Sequence, residues 1–598
     1  MKNRRIHLLL ILASLFSLWY CANPGTPTGG PKDEKPPVLV NSTPKQNALN
    51  FNGKTIELEF DELIQLKDAN QKFVVSPPVN KRPIIDPRGK NIRITFEEEL
   101  QPATTYTLDF ADAISDNNES NILDNFRFSF STGESTDSLS VSGNLFDAYD
   151  LSPADGILMF LHKNLEDSAF VKLVPNRIAK TDAKGRFSIQ NVAPGEYRLY
   201  ALDDLNRNYK FDQRGEQIAF VKEVVVPSFE YRMVNDSITP DSIVAREQLF
   251  YTPDSIQMHL FKEKPVDQYL KSEERKQANK LSFMFNLPLS RNARFAFPGR
   301  PQNDQPFVME RSLQNDTVTL WLTDSLMYKQ DSLKIAVNYP ALDSLLNPIE
   351  RIDTLDMWHF TVEQKKRRKK DEKEEIPALK INVPSTIDLY APLNIILPTP
   401  AKYADQAGLK LFLKSDTLQN NLTFNFEQDT LNVRRYKLQY NWQPGEEYVL
   451  AMDSATFIDF YGVANKPITQ NFSIRKLDSY GTLYINVANP QPNYLIQIIN
   501  RDEKVLRQSY VPTSGKIAFR YIKVGEYKLK MVDDTNRNGV WDTGDYANQS
   551  LPETVFYYPE KVNVRANWDI KIEMDRALFN IYEFSQKFRK PISTRKKQ

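Results

Sequence analysis

Oxygen-bearing side chains crowd one short stretch near the C-terminus. Asp534, Asn536 and Asn538 stand at alternate positions, Gly539 follows, and Asp542 and Asp545 come after it. Counted from Asp534, these residues fall at positions one, three, five, six, nine and twelve, and the carbonyl of Val540 at seven adds one more oxygen. A chain looped back on itself turns such oxygens inward around a hard cation, and a glycine at position six permits the sharp turn; calcium is the ion this set suits. Asp545 is shorter than the glutamate that commonly closes such a loop with two oxygens, so the expected affinity is modest. An earlier stretch keeps part of the pattern. Asp204, Asn206, Asn208 and Asp212 hold the same spacing, but Tyr209 replaces the glycine, Gly215 occupies position twelve and Glu216 comes one residue late. A second reading stays open for both: Asn and Asp close turns through their own side chains. They would then cap a long hairpin end, with Phe211 and Trp541 packed beneath.

Little else in the chain offers chemistry. His7, His162, His259 and His359 are scattered, and no pair has metal-ligand spacing. There is neither a Gly-x-Ser-x-Gly elbow nor a phosphate-cradling glycine loop. Carboxylates are plentiful, but a hydrolytic pair leaves no signature of its own. The expectation is a protein that is not an enzyme, with no cofactor other than a candidate calcium. The net charge of +1, with 77 Lys+Arg against 76 Asp+Glu, provides no basic face for nucleic acid.

The single cysteine is informative by its place. Lys2, Arg4 and Arg5 precede an apolar run from Ile6 to Leu18, and Cys21 sits where a signal peptide would be cut. Leu18-Trp19-Tyr20-Cys21 resembles the lipobox of bacterial lipoproteins, with Tyr20 where a small residue is usual. The resemblance implies a lipid on Cys21 after removal of residues 1–20, with residues 21–35, rich in Gly and Pro, as a tether. Triplets of Asp, then Ser or Thr, then an aliphatic residue recur from Asp137 to Asp453, where composition alone would give roughly two. They are similar to the O-glycosylation motif of exported proteins of the Bacteroidota. This implies Ser237, Ser242, Ser255, Thr317, Ser325, Ser332, Ser344 and Thr354 as acceptors. The other reading is local: Asp and Ser close a turn and the aliphatic residue starts a strand.

The elements that position these residues read as strands. Ile56, Leu58 and Phe60 alternate with polar residues; so do Ile92, Ile94 and Phe96; Tyr106, Leu108 and Phe110; and Phe126, Phe128 and Phe130. Period two over short segments means half-buried strands in facing sheets. An internal duplication is plain. Gly185, Gly195-Glu196-Tyr197, Leu199, Asp203-Asp204, Asn206-Arg207-Asn208 and Asp212 recur 330 residues later as Gly515, Gly525-Glu526-Tyr527, Leu529, Asp533-Asp534, Asn536-Arg537-Asn538 and Asp542. Pro102, Tyr106 and Leu108 likewise have counterparts in Pro444, Tyr448 and Leu450.

The Gly29-Gly30-Pro31 tether, Ser42-Thr43-Pro44 and the Phe126 to Gly133 ending together resemble the Ig-like-domain lipoproteins of the Bacteroidota. The Gly185 to Leu199 stretch looks like the prealbumin-like, carboxypeptidase-regulatory β-sandwich. The expected architecture is all-β, a tandem array of small antiparallel sandwiches after a lipoprotein signal peptide. An Ig-like domain spans 36–134, a prealbumin-like domain 137–228 and a divergent Ig-like domain 245–363. A charged linker follows at 364–376, then an Ig-like domain at 377–475, a prealbumin-like domain at 478–575 and a basic tail at 576–598. Within the third domain, the charged stretch Lys262 to Lys280 reads as helical or looped out.

The expected role is a non-catalytic envelope lipoprotein that binds other envelope proteins. Its anchor would sit in the outer membrane, facing the periplasm, because no acidic cluster lies immediately after Cys21. The alternative is a surface module for a glycan or other ligand, which needs exposed aromatic rings on one face. Trp358 and Trp442 lie inside strand patterns, which favours core over platform.

Overall fold

The computed structural model describes residues 33–239, 242–301, 305–343, 347–359 and 379–587. The expected signal peptide, Cys21, most of the expected tether, the expected linker 364–376 and the end of the expected tail lie outside them, as do the side chains of 235–245 and 586–587. The chain is all-β, with 48% of it in strand against 5% in helix. Its contacts divide it into two units. The first ends at Leu260, and Asp147–Ser152, Gln213–Gln217 and everything from Phe261 onward belong to the second.

The first unit opens with a sandwich. One sheet orders Leu39–Thr43, Thr55–Phe60, Asn91–Thr95 and Ile84–Arg88; the other orders Arg127–Ser131, Thr105–Asp109 and Val74–Ser76. The register sets Ile56 opposite Ile94, Leu58 opposite Ile92 and Phe130 opposite Tyr106. The alternating apolar residues therefore share one face and form the core. A seven-stranded sheet follows, in the order Arg177–Lys180, Leu158–His162, Arg198–Leu202, Gln217–Phe220, Ile256–Lys262, Leu139–Asp147 and Arg186–Val192. Ile256–Lys262 thus completes this sheet, and Met258 and Leu260 lie in its core. That corrects the expected opening of the third domain at 245. Among the described residues, Ser228–Thr239 and Ser242–Thr252 pair only with each other, as a ribbon inserted before the completing strand.

In the second unit, Leu270–Gln277, Lys280–Phe285, Thr317–Leu322 and Phe307–Arg311 make one sheet, and Arg294–Ala296, Ser332–Leu342 and Pro348–Trp358 make the other. The stretch expected to be helical or looped out contains the strand Leu270–Gln277. Charge misled the reading because this is an edge strand, where charged side chains on the outer face are ordinary. Its one buried side chain, Arg275, donates to the carbonyls of Ala278, Tyr328, Gln330, Asp331 and Met357 at 2.8–3.3 Å. The next sandwich has Thr386–Ile387, Ile468–Ile474, Glu447–Met452 and Leu409–Leu413 over Leu393–Ile396, Arg435–Gln439 and Asn425–Gln428. The last has Lys516–Lys523, Tyr480–Val487 and Asp569–Met574 over Val505–Tyr510, Tyr494–Ile499, Gly525–Asp533 and Val555–Tyr557. Of the expected tail, Ile581–Lys587 forms a helix whose Phe584 stacks on Tyr557 at 4.7 Å.

The repeated residues do the same work in each copy. The Tyr106 hydroxyl accepts from the Gln101 N–H at 2.8 Å, and that of Tyr448 accepts from the Gln443 N–H at 3.1 Å. The Tyr197 hydroxyl donates to the Ala193 carbonyl at 2.9 Å, and that of Tyr527 donates to the Lys523 carbonyl at 2.8 Å. Each tyrosine is buried and satisfies a backbone group that the turn leaves unpaired.

Candidate functional site

The Asp534 loop leaves the strand Gly525–Asp533 and returns through Val555–Tyr557. Asp534 is fully buried, and it shapes the turn. One carboxylate oxygen accepts from the Asn538 N–H at 3.1 Å, and the other accepts from the Gly539 N–H at 2.8 Å and the Tyr510 hydroxyl at 2.6 Å. The Asn538 N–H also reaches the Asn536 side-chain oxygen at 3.0 Å, and the Val540 N–H reaches that of Asn538 at 2.9 Å. Gly539 has φ +80°, where a side chain would strain the backbone. The amides of Asn536 and Asn538 donate to Asp542 at 2.7 and 2.6 Å.

Lys264 places its ammonium on the other oxygen of Asp542. That contact and the two amides hold the carboxyl below its ordinary range. Asp545 departs from the expected set. Its carboxylate accepts from the backbone and side chain of Asn548 at 3.0 and 3.1 Å, within a separate turn. Asp534, Asn536, Asn538 and Asp542 are brought together by these bonds, and the positive charge beside them belongs to Lys264. The donor set is chemically suited to calcium, and its oxygens are also sufficient to hold the turn without one.

The earlier loop builds the same frame. Asp204 accepts from the Asn208 and Tyr209 N–H groups at 3.2 and 2.9 Å, and Asn206 and Asn208 donate to Asp212 at 3.0 and 2.5 Å. Tyr209 takes φ +59°, the conformation expected to need glycine. It does so with its ring edge-on to Phe160 at 6.4 Å, so packing offsets the backbone cost. Phe211 is buried, and the Trp541 indole N–H donates to the Glu553 carbonyl at 2.8 Å, each beneath its loop.

The proposed acceptor residues are dispersed. Ser255, Ser325 and Thr354 are exposed, and Thr317 and Ser332 are half-buried. Ser237 and Ser242 lie in strands, their side chains outside the described residues, and Ser344 and Cys21 lie outside them altogether. Several triplet aspartates close turns: Asp324, Asp416 and Asp429 accept the backbone N–H two residues on, at 2.8–2.9 Å.

Among the described residues, no group of three or more His, Cys, Asp or Glu side chains is placed to hold a metal. His162 is buried, and desolvation pushes its imidazole down to about 4, so it stays neutral at pH 7. Burial lowers His259 as well. The expectation that tryptophans are core applies to Trp321 and Trp442. It fails for Trp358, 54% exposed at the end of an edge strand, and for Trp568, 56% exposed in a turn. Sequence reasoning also missed Lys530. It lies inside the strand Gly525–Asp533, is fully buried, and donates to the Tyr149 carbonyl at 2.7 Å within the second unit. A lysine at an apolar-phase strand position was the available signal.

Residues 33–132 match a family described as bacterial Ig-like domain (Big_5). No curated protein matches the chain. Solved structures that align with the chain include the major pilin subunit of Bacillus cereus, at 10% identity over 73% of this chain and 98% of that one, TM-score 0.16. The BSP domain of a biofilm-associated protein aligns at 10% identity over 81% of this chain and 92% of that one, TM-score 0.14. The human desmocollin-1 ectodomain aligns at 9% identity over 86% and 95%, TM-score 0.14.

Proposed function

We propose that this protein is a lipid-anchored, non-catalytic component of the cell envelope, which holds the neighbouring sandwiches of each unit in fixed relation and presents them to other envelope proteins. The observation that carries the reading is the polar clasping of neighbouring sandwiches within each unit. In the first, Asn191 donates to the hydroxyls of Thr107 and Ser129, both at 2.7 Å, and the Ile178 N–H donates to the Ser76 hydroxyl at 2.9 Å. In the second, Arg434 grips Glu310 with two bonds of 2.8 and 2.9 Å and covers the Trp321 ring at 5.3 Å. Trp321 donates to the same carboxylate at 2.9 Å. Burial opposes the Glu310 charge, but the contacts with Arg434 and Trp321 outweigh it and hold the carboxyl below its usual range. Bidentate, partly buried pairs of this kind fix geometry. Flexible linkage would need none of them.

The Ig-like family match supports a structural or binding role. The basic start, apolar run and Cys21 support the anchor, and the lack of an acidic cluster immediately after Cys21, where Ala22 to Lys32 carry no carboxylate, favours the periplasmic face of the outer membrane. Fractionation of cells carrying Cys21→Ser tests the anchor: the variant should leave the membrane fraction, and retention there would sink it. Cross-linking followed by purification of the tagged native protein should recover envelope proteins. Recovery of the protein alone would overturn the assembly role.

A further inference from the structure

A cavity of about 190 Å³ lies on the last sandwich, lined by Tyr521, Trp568, Asn567, Asp569 and Thr482 among others. Three features of the backbone aim side chains into it. The pairing of Tyr480–Val487 with Lys516–Lys523 slips between Gly481–Ile522 and Leu483–Phe519. Arg520 and Tyr521 therefore oppose Thr482 alone, a bulge of the kind that re-aims a side chain. Tyr521 sits at φ +58° and Asn567 at φ +56°, a conformation that costs a residue with a side chain energy and is often kept at binding sites. Gly481 lets the turn at Arg565–Trp568 close, because a Cβ there would lie 2.6 Å from the Arg565 carbonyl oxygen.

Trp568 is 56% exposed and Tyr521 40%, in a protein that buries Trp321 and Trp442. The Arg565 guanidinium lies 5.0 Å from the Trp568 ring centroid and steadies it. Beside the rings stand an amide, a carboxylate and a hydroxyl, and no protein hydrogen bond engages the side chains of Asn567, Asp569 or Thr482 among the described residues.

A flat ring beside solvent-facing amide, carboxylate and hydroxyl groups that no other side chain engages matches one ligand chemistry well. A pyranose presents C–H groups on its face and hydroxyls on its rim. A lipid tail would leave the polar groups unpaired, and an extended peptide would seek a row of backbone donors. We propose that this cavity is a subsite for one pyranose ring of a neutral glycan, stacked on Trp568 and Tyr521 and hydrogen-bonded at its rim by Asn567, Asp569 and Thr482. The subsite does not rest on the anchor or on the protein partners proposed above.

Calorimetric titration of the full chain with cellohexaose, maltohexaose, xylohexaose, mannohexaose and chitohexaose tests it. At least one should bind and change the tryptophan emission. Trp568→Ala and Tyr521→Ala should each weaken that sugar about tenfold, the scale of a lost aromatic contact, while Trp358→Ala leaves it unchanged. Melting curves matching the parent show that each variant is folded; if Trp568→Ala fails to fold, Asp569→Ala at the rim carries the same test. No binding at millimolar sugar, binding undiminished in the folded variants, or capture of a proline-rich peptide in place of every sugar would overturn the subsite.

Discussion

Tyr200 and Lys530 occupy the same place in the two copies of the repeated sequence, 330 residues apart. Both are buried on the central strand of their copy. Tyr200 is stacked on Phe170 with ring centroids 4.3 Å apart. Lys530 places its ammonium 3.2 Å from the Tyr149 ring centroid and 5.7 Å from that of Tyr557. Burial pushes this amine down to about 7, against the opposing pull of Glu503, Asp150 and Asp147. The duplication kept a backbone frame and an aromatic cover at this position, and it let the covered group change from a ring to an amine. Repeated sequence thus marks repeated folding and says little about repeated chemistry.

Breaking that pair gives the largest expected effect. Lys530→Ala should cost about 2–4 kcal/mol, as other large-to-small core changes do, measured by urea unfolding. Lys530→Met keeps the volume and should cost less, but it should abolish a pH dependence. An ordinary lysine titrates at 10.5 and the folded Lys530 near 7, so between those values the unfolded chain binds more protons than the folded one. Stability should therefore rise with pH across that window and be flat in this contribution below it. The rise should vanish in Lys530→Met. An equal slope in both proteins would mean that the amine is not desolvated.

The tyrosine turns should behave alike in both copies. Tyr197→Phe and Tyr527→Phe each remove one hydroxyl bonded to a carbonyl four residues back. Each should cost about 1 kcal/mol. Unequal losses would show that the two turns are not equivalent supports.

The smallest effect is expected at the Asp and Asn loops. Their Asx frames match, but the second carries Lys264 on Asp542 and the first carries Tyr209 where the second has Gly539. With Lys264 supplying the cation and Asp545 turned into its own bend, millimolar calcium should leave the melting temperature unchanged. A rise with calcium that Asp534→Ala together with Asp542→Ala removes would make the second loop a calcium site instead.

The sequence by itself determined the class of fold and its repetition. Period-two apolar residues such as Ile56 and Leu58 opposite Ile94 and Ile92 can be buried only in facing sheets. The 330-residue offset carried both the Tyr197 and Tyr527 turns and the two Asx frames, because those structures are made by residues close together along the chain. Whatever depended on distant partners was decided by the tertiary structure. Ile256–Lys262 reads as the start of a new domain until it is seen completing the preceding sheet. Leu270–Gln277 reads as a charged, non-strand stretch until Arg275 meets five carbonyls. Trp568 and Trp442 are the same residue type in similarly short-range surroundings, and only the turn closed over Gly481 leaves one in solvent while the other is enclosed. Local hydrogen bonding and alternation are written in adjacent residues. Burial is set by what the rest of the chain brings alongside.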